Sequence, residues 1–206
     1  VASQEWDSTI QAYQASVAFV DRQIGRFLDA LDENPRGRET IVMLVSDHGW
    51  HLGEKKHWCK GALWEQTTRI PFMVRAANVK PGSVCMQPVS LIDVYPTLVD
   101  LAGLPIPDHL DGKSIKPQLA DPNEKRSPAI SSYGAGNTAI RTQRWRYIRY
   151  EDGSEELYDH ASDPHEWKNL ANSPDHLSIK RELAGWLPAQ QHSGLQVQSR
   201  FDKHQQ

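Results

Sequence analysis

The residues best suited to chemistry sit in one short segment, Ser46-Asp47-His48-Gly49-Trp50-His51, directly after an apolar run from Ile41 to Val45. An aspartate and a histidine adjacent on an irregular loop can both turn to one cation, the carboxylate giving a hard oxygen and the imidazole a nitrogen. Gly49 lets the backbone turn tightly beside them. Asp47 and His48 are therefore the candidate metal ligands. The alternative for the same two residues is structural, with Asp47 capping the next turn and His48 a hydrogen-bonded histidine. Downstream, Leu52-Gly53-Glu54-Lys55-Lys56-His57-Trp58-Cys59-Lys60 gathers three lysines and a histidine in one loop. That density suits an oxyanion, because each ammonium brings a point charge and three donors. Lys55 and Lys56 read as a solvated basic loop, and Glu65 with Arg69, four residues apart, as a structural pair.

The elements that must position these loops can be read from periodicity. Tyr13, Val17, Val20, Ile24, Phe27, Leu28 and Leu31 recur at steps of three and four, the stripe of an amphipathic helix that ends in the Pro35 and Gly37 region. Ile41 to Val45, β-branched and continuous, predicts a strand buried on both faces as in a parallel sheet. Ligands of open α/β sheets bind at the carboxyl ends of such strands, which is where Asp47 and His48 stand. Ile70 to Arg75 is a second strand, and Val89 to Ala102 a helix stopped by Gly103. A proline-punctuated connection follows, from Pro105 to Pro128. Trp145 to Tyr150 and Glu156 to Tyr158, around Asp152-Gly153, predict an antiparallel hairpin. Leu177 to Leu187 is amphipathic and should pack on that sheet, and the polar tail from Gln190 should fray. The expected division is an α/β portion over residues 1–122 and a small antiparallel portion over 123–206.

Composition narrows the functions. In 206 residues, 38% hydrophobic and 24% charged is the ordinary globular range. Twenty-three Lys and Arg against 26 Asp and Glu give a net charge of −3, without the basic excess that holds nucleic acid. No apolar run is long enough to span a bilayer. Cys59 and Cys85 allow at most one disulfide and no cysteine framework.

Four blocks in order, SDHGWHLGEKKHWCK, LWEQTTRIPFMV, PVSLIDVYPTLVDLAGLP with LDGKSI, and AIRTQRWRYIRYEDGSEELYDHASDPHEWKNLA, resemble the sulfatase family from about Tyr13 to about Leu187. The branch they are most similar to is iduronate-2-sulfatase-like. The resemblance implies an alkaline-phosphatase-like α/β domain with a small antiparallel C-terminal subdomain and a C-terminal helix. It implies hydrolysis of sulfate esters of a small molecule or glycan, with one divalent ion, Ca2+ by family habit. In that pattern Asp47 and His48 match a late metal-ligand pair. Gly53, Glu54, Trp58 and Lys60 match a G-E-x-x-x-W-x-K motif whose lysine contacts sulfate, which makes Lys60 the candidate catalytic residue. Trp50, His51 and His57 are candidate substrate contacts, although Trp50 and Trp58 equally fit a role in packing the loop onto the sheet.

One departure matters. The family's formylglycine nucleophile arises in C/S-x-P-x-R, yet Cys59 is followed by Lys60-Gly61 and Cys85 by Met86-Gln87, and no Ser-x-Pro-x-Arg occurs. The resemblance thus implies the C-terminal half of a sulfatase, inactive alone, whose partner is the N-terminal half bearing formylglycine. A half-fold leaves apolar surface open and should associate. The resemblance also implies a periplasmic, secreted or lysosomal setting. Two other readings stand beside it: a phosphodiesterase or phosphonate hydrolase of the same superfamily, marked by two zinc ions rather than one calcium, and a non-catalytic module that binds sulfated glycans.

Overall fold

A computed structural model describes residues 3–188 of the chain, so the polar tail from Gln190 lies outside the described residues. Helix α1 spans Ser3–Glu33. It begins ten residues before the apolar stripe, because the polar start is held from elsewhere: the Trp6 ring meets Trp58 edge-on with centroids 4.9 Å apart. The stripe itself is only partly covered. Ile24, Leu28 and Leu31 are half-buried, while Val17, Val20 and Phe27 remain more than half exposed.

Strand β1 (Val42–Val45) follows, and its partner is β4 (Phe72–Arg75). The pair is antiparallel, in the register Val42↔Arg75 to Val45↔Phe72. This corrects the expected parallel pairing. A continuous apolar run reports burial but carries no information on the direction of its neighbour. The four residues of β1 are half-buried rather than enclosed on both faces. Between them lie the short antiparallel pair β2 (His51–Leu52) and β3 (Trp58–Cys59), a 3₁₀ turn at Glu54–Lys56, and the one-turn helix α2 (Glu65–Thr68). The expected helix after Val89 is a 3₁₀ turn, Leu91–Asp93, running into α3 (Val94–Leu101), with Gly103 in the left-handed region just beyond. A capping box starts it: Asp93 accepts from the Ser90 N–H at 2.8 Å.

A short helix α4 (Lys116–Ala120) interrupts the proline-rich connection. Four strands then form one antiparallel sheet in the order β5 (Ala129–Ser132), β6 (Thr138–Arg141), β7 (Trp145–Arg149) and β8 (Glu155–Asp159). The predicted hairpin is β7 and β8. Successive side chains of a strand point to opposite faces, and here both faces are used. Ile140, Tyr147 and Leu157 pack with Ala171 and with Leu183 of α5 (Leu177–Ala184). Ala139, Ile148 and Tyr158 pack on the other side against Leu63 and Trp64, which immediately precede α2. This second face ties the C-terminal sheet to the segment carrying the candidate site.

Candidate functional site

The Asp47-His48 loop is held by α2. The Gly49 and Trp50 amides donate to the Thr67 and Gln66 carbonyls at 2.7 and 2.9 Å. A Cβ at Gly49 would lie 2.0 Å from the Gln66 carbonyl oxygen, so only glycine allows this approach. Gly49→Ala is expected to destabilise the full-length protein by about 1–3 kcal/mol, read as a lowered urea midpoint; an unchanged midpoint would show that the loop can move aside at no cost. Ser46 Oγ donates to the His48 carbonyl at 2.9 Å and fixes the near side of the same turn.

This anchoring settles the imidazole. His48 Nδ1 lies 2.8 Å from the Gly49 carbonyl, which can only accept, so Nδ1 is the donor there and Nε2 is the nitrogen left to face a proton or a metal ion. Nε2 faces Asp47 Oδ2 at 3.3 Å. Two electron-pair donors this close need a positive charge between or beside them, either a proton or a metal ion. A metal-ligating histidine usually donates its other N–H to a carbonyl in this way. The donor set therefore fits a hard divalent ion, with the Asp47 side chain 82% exposed and its Oδ1 accepting from the His48 N–H at 3.1 Å.

Asp47, His48, Trp50, His57 and Lys60 all line one broad cleft of about 2170 Å³. That exceeds the ~300–1,000 Å³ of ordinary ligand sites, so these residues form a trough rather than an enclosed pocket. Lys60 is exposed, and Cys59 before it has φ 69°. Trp50 lies roughly parallel to the His48 ring at 6.1 Å, on the cleft side, whereas Trp58 packs the loop against Trp6 of α1. His51 is placed differently: it is wholly buried in β2 and does not line the cleft. Its ring sits 4.9 Å from His57 and 5.8 Å from Trp64, with neither nitrogen hydrogen-bonded and Glu54 3.8 Å away. Burial first, then His57, push its pKa below the usual imidazole value.

Two expectations from the sequence are corrected. Lys55 is not solvated: its ammonium donates to the Tyr158 hydroxyl at 3.0 Å and to the Glu166 carbonyl, and lies 4.7 and 4.6 Å from the Trp64 and Tyr158 ring centroids. The acceptors come from more than a hundred residues downstream, where no local pattern could reveal them. Glu65 does not pair with Arg69 but with Arg141, at 3.1 Å, and with Arg146. Helical spacing overlooked both partners because they arrive from the C-terminal sheet.

Glu65, His160 and Glu166 bring ligand atoms within 4.8 Å of one another. The cluster is nonetheless already neutralised. Arg146 Nε donates to Glu166 at 2.5 Å and its other nitrogens to Glu65 and to the Leu63 carbonyl; His160 Nε2 meets Glu166 at 2.9 Å. Burial would raise the Glu65 pKa, but Arg146 and Arg141 outweigh it and hold the carboxyl at about 2. A cation added there would face two guanidiniums, so this is an ion-pair network and the metal candidate stays at Asp47 and His48.

Comparison with known proteins bears on family and fold. The family model for sulfatases matches residues 2–104. A protein named sulfatase from Formosa agariphila is 44% identical over 190 residues, 91% of this chain and 37% of its own length. The chain thus spans about a third of the length of the curated relatives it matches. The solved structure of a 2-O GAG sulfatase superimposes with a TM-score of 0.80 at 29% identity, over 87% of this chain and 42% of that one. A phosphonate monoester hydrolase from Silicibacter pomeroyi does so at 0.71 and 27%, over 81% and 37%. The architecture is therefore that of the alkaline-phosphatase-like fold, and with a family model over half its length the chain belongs to the sulfatase family.

Proposed function

We propose that this chain forms the cation- and sulfate-binding wall of a sulfuric ester hydrolase that acts on sulfated glycans or similar sulfate esters. The observation that carries the reading is that Asp47, His48 and Lys60 line one cleft in a chain of the sulfatase family. Asp47 and His48 Nε2 would hold the divalent ion, Ca2+ in this proposal. Bound there, the ion would offset negative charge on the sulfuryl oxygens. The Lys60 ammonium, exposed in the cleft, donates to those same oxygens, and Trp50 and His57 line the approach. All of this is electrostatic positioning; no proton transfer is asked of these residues. Neither Cys59 nor Cys85 stands in C/S-x-P-x-R, so we place the formylglycine nucleophile outside these 206 residues. The iduronate-2-sulfatase-like blocks of the sequence and the likeness to a 2-O GAG sulfatase together support a 2-O-sulfated sugar as substrate.

The likeness to a phosphonate monoester hydrolase supports a second reading, and the two separate on the group transferred, sulfuryl or phosphonyl, since the leaving group can be made the same. The full-length protein, assayed on p-nitrophenyl sulfate and p-nitrophenyl phenylphosphonate, is expected to prefer the sulfate by about a hundredfold or more in kcat/KM. The reverse order would establish the second reading in place of the first.

A further inference from the structure

The loop that carries Lys60 is awkward on its own. Lys55, Lys56 and Cys59 all have φ between 53° and 69°, a left-handed conformation that is costly for a non-glycine residue and persists only where surroundings impose it. Within the loop, only a few backbone bonds oppose that cost: Gly53 N–H to the His57 carbonyl, Lys56 N–H to Gly53, and His57 N–H to Glu54, at 2.9 to 3.0 Å. The stronger restraint comes from the C-terminal sheet through one side chain. Lys55 enters a box whose walls are Trp64 and Tyr158 and whose far end holds the Tyr158 hydroxyl and the Glu166 carbonyl. Glu156 orients both walls, accepting from Trp64 Nε1 and from the Tyr158 hydroxyl at 2.7 Å each.

Glu166 is the second half of the device. It too is left-handed, with φ 60°, and wholly buried. Its carbonyl takes Lys55, while its carboxylate accepts from the Glu65 N–H at 2.9 Å, the first residue of α2. The Gln66 and Thr67 carbonyls of α2 in turn hold the Asp47-His48 loop by the Trp50 and Gly49 amides. One buried residue of the C-terminal portion is therefore joined to both loops of the candidate site.

We propose that Lys55 is a positioning residue, which locks the Lys60 loop onto Glu166 and so sets it in register with the Asp47-His48 loop. The inference rests on the sulfatase reading only for its kinetic consequence; the restraint on the loop is independent of it. A half-buried ammonium held over two aromatic faces with two oxygen acceptors is well satisfied, whereas an apolar side chain of like length would leave the Glu166 carbonyl without its donor and the Tyr158 hydroxyl with Glu156 alone.

The test compares wild type, Lys55→Met and Lys55→Arg in the full-length protein, by amide hydrogen exchange and by kinetics on a sulfate ester. In Lys55→Met the Gly53, Lys56 and His57 amides are expected to exchange about tenfold or more faster while the β7 and β8 amides do not change. In the same variant kcat is expected to fall about tenfold or more, with a smaller change in KM. Lys55→Arg, which keeps the charge and donors, should recover most of both. Unchanged loop exchange in Lys55→Met would overturn the restraint, and faster exchange with unaltered kcat would overturn its role in positioning. A wild type inert toward sulfate esters would count against the proposed function instead, and the exchange result would still decide whether Lys55 holds the loop.

Discussion

Replacing Lys60 by alanine in the full-length protein should lower kcat on sulfate esters by about 10²–10³-fold, the range found for single oxyanion contacts. The expectation follows from where the side chain stands. It is exposed in the same cleft as Asp47 and His48, directly after β3, whose Cys59 pairs with His51. An ammonium that meets charge developing on sulfuryl oxygens acts most strongly in the transition state, so the loss should fall chiefly on kcat rather than KM. Folding should be little affected, since an exposed lysine holds no core contact together. Steady-state kinetics with a parallel thermal melt reads both quantities. Wild-type kinetics in Lys60→Ala would remove the residue from the machinery and leave the cleft without its anion contact.

Arg146→Met should cost about 3–5 kcal/mol of stability, the penalty for stripping one partner from a buried ion pair. Arg146 is 2% exposed, and it faces Glu166, Glu65 and the Leu63 carbonyl at once. Methionine matches the stem but leaves two carboxylates short of a cation. Urea unfolding of the full-length protein measures the loss; a change within about 0.5 kcal/mol, as at an ordinary surface site, would mean that Arg141 and His160 neutralise the cluster by themselves. The same network makes stability depend on pH. The Glu65 carboxyl is held at about 2 in the folded chain against an ordinary 4.5. Its contribution is therefore complete above pH 4.5 and is lost as pH falls toward 2, by up to about 3 kcal/mol at 1.36 kcal/mol per unit. In Arg146→Met this acid slope should flatten, because Glu65 loses the larger of the two charges that depress its pKa.

These two effects divide along the line between local and distant information. The candidate pair Asp47-His48 can be picked out of the chain because the signal is local, an acid and an imidazole side by side after an apolar run, whereas Lys60 stands out only through the family resemblance, at its fixed distance from Gly53, Glu54 and Trp58. The hairpin of β7 and β8 and the helix α5 are legible for the same reason, since alternation and helical spacing are properties of neighbouring residues. Even so, β1 shows the limit. Its sequence specifies an apolar strand, yet the antiparallel partner returns from Phe72–Arg75 only after the whole site segment has been threaded between them.

What the sequence by itself determined, then, is which side chains of this protein are candidates to meet a cation and an anion, and which segments are strand or helix. The tertiary structure alone decided how those side chains are held. His51, next to Trp50 in the chain, is turned inward by the β2–β3 pairing and leaves the cleft, while Trp50 stays in it. Lys55, one more lysine in a basic loop, becomes a half-buried anchor because Tyr158 and Glu166 fold back over it. Glu65 ignores its helical neighbour for two arginines of the C-terminal sheet. For His51 burial alone is at work, and it favours the uncharged ring. For Lys55 and Glu65 the physical reason is shared: a charge drawn partly out of water must find its partner wherever the fold brings one, and desolvation makes that long-range pairing matter more than any contact the local spacing offers.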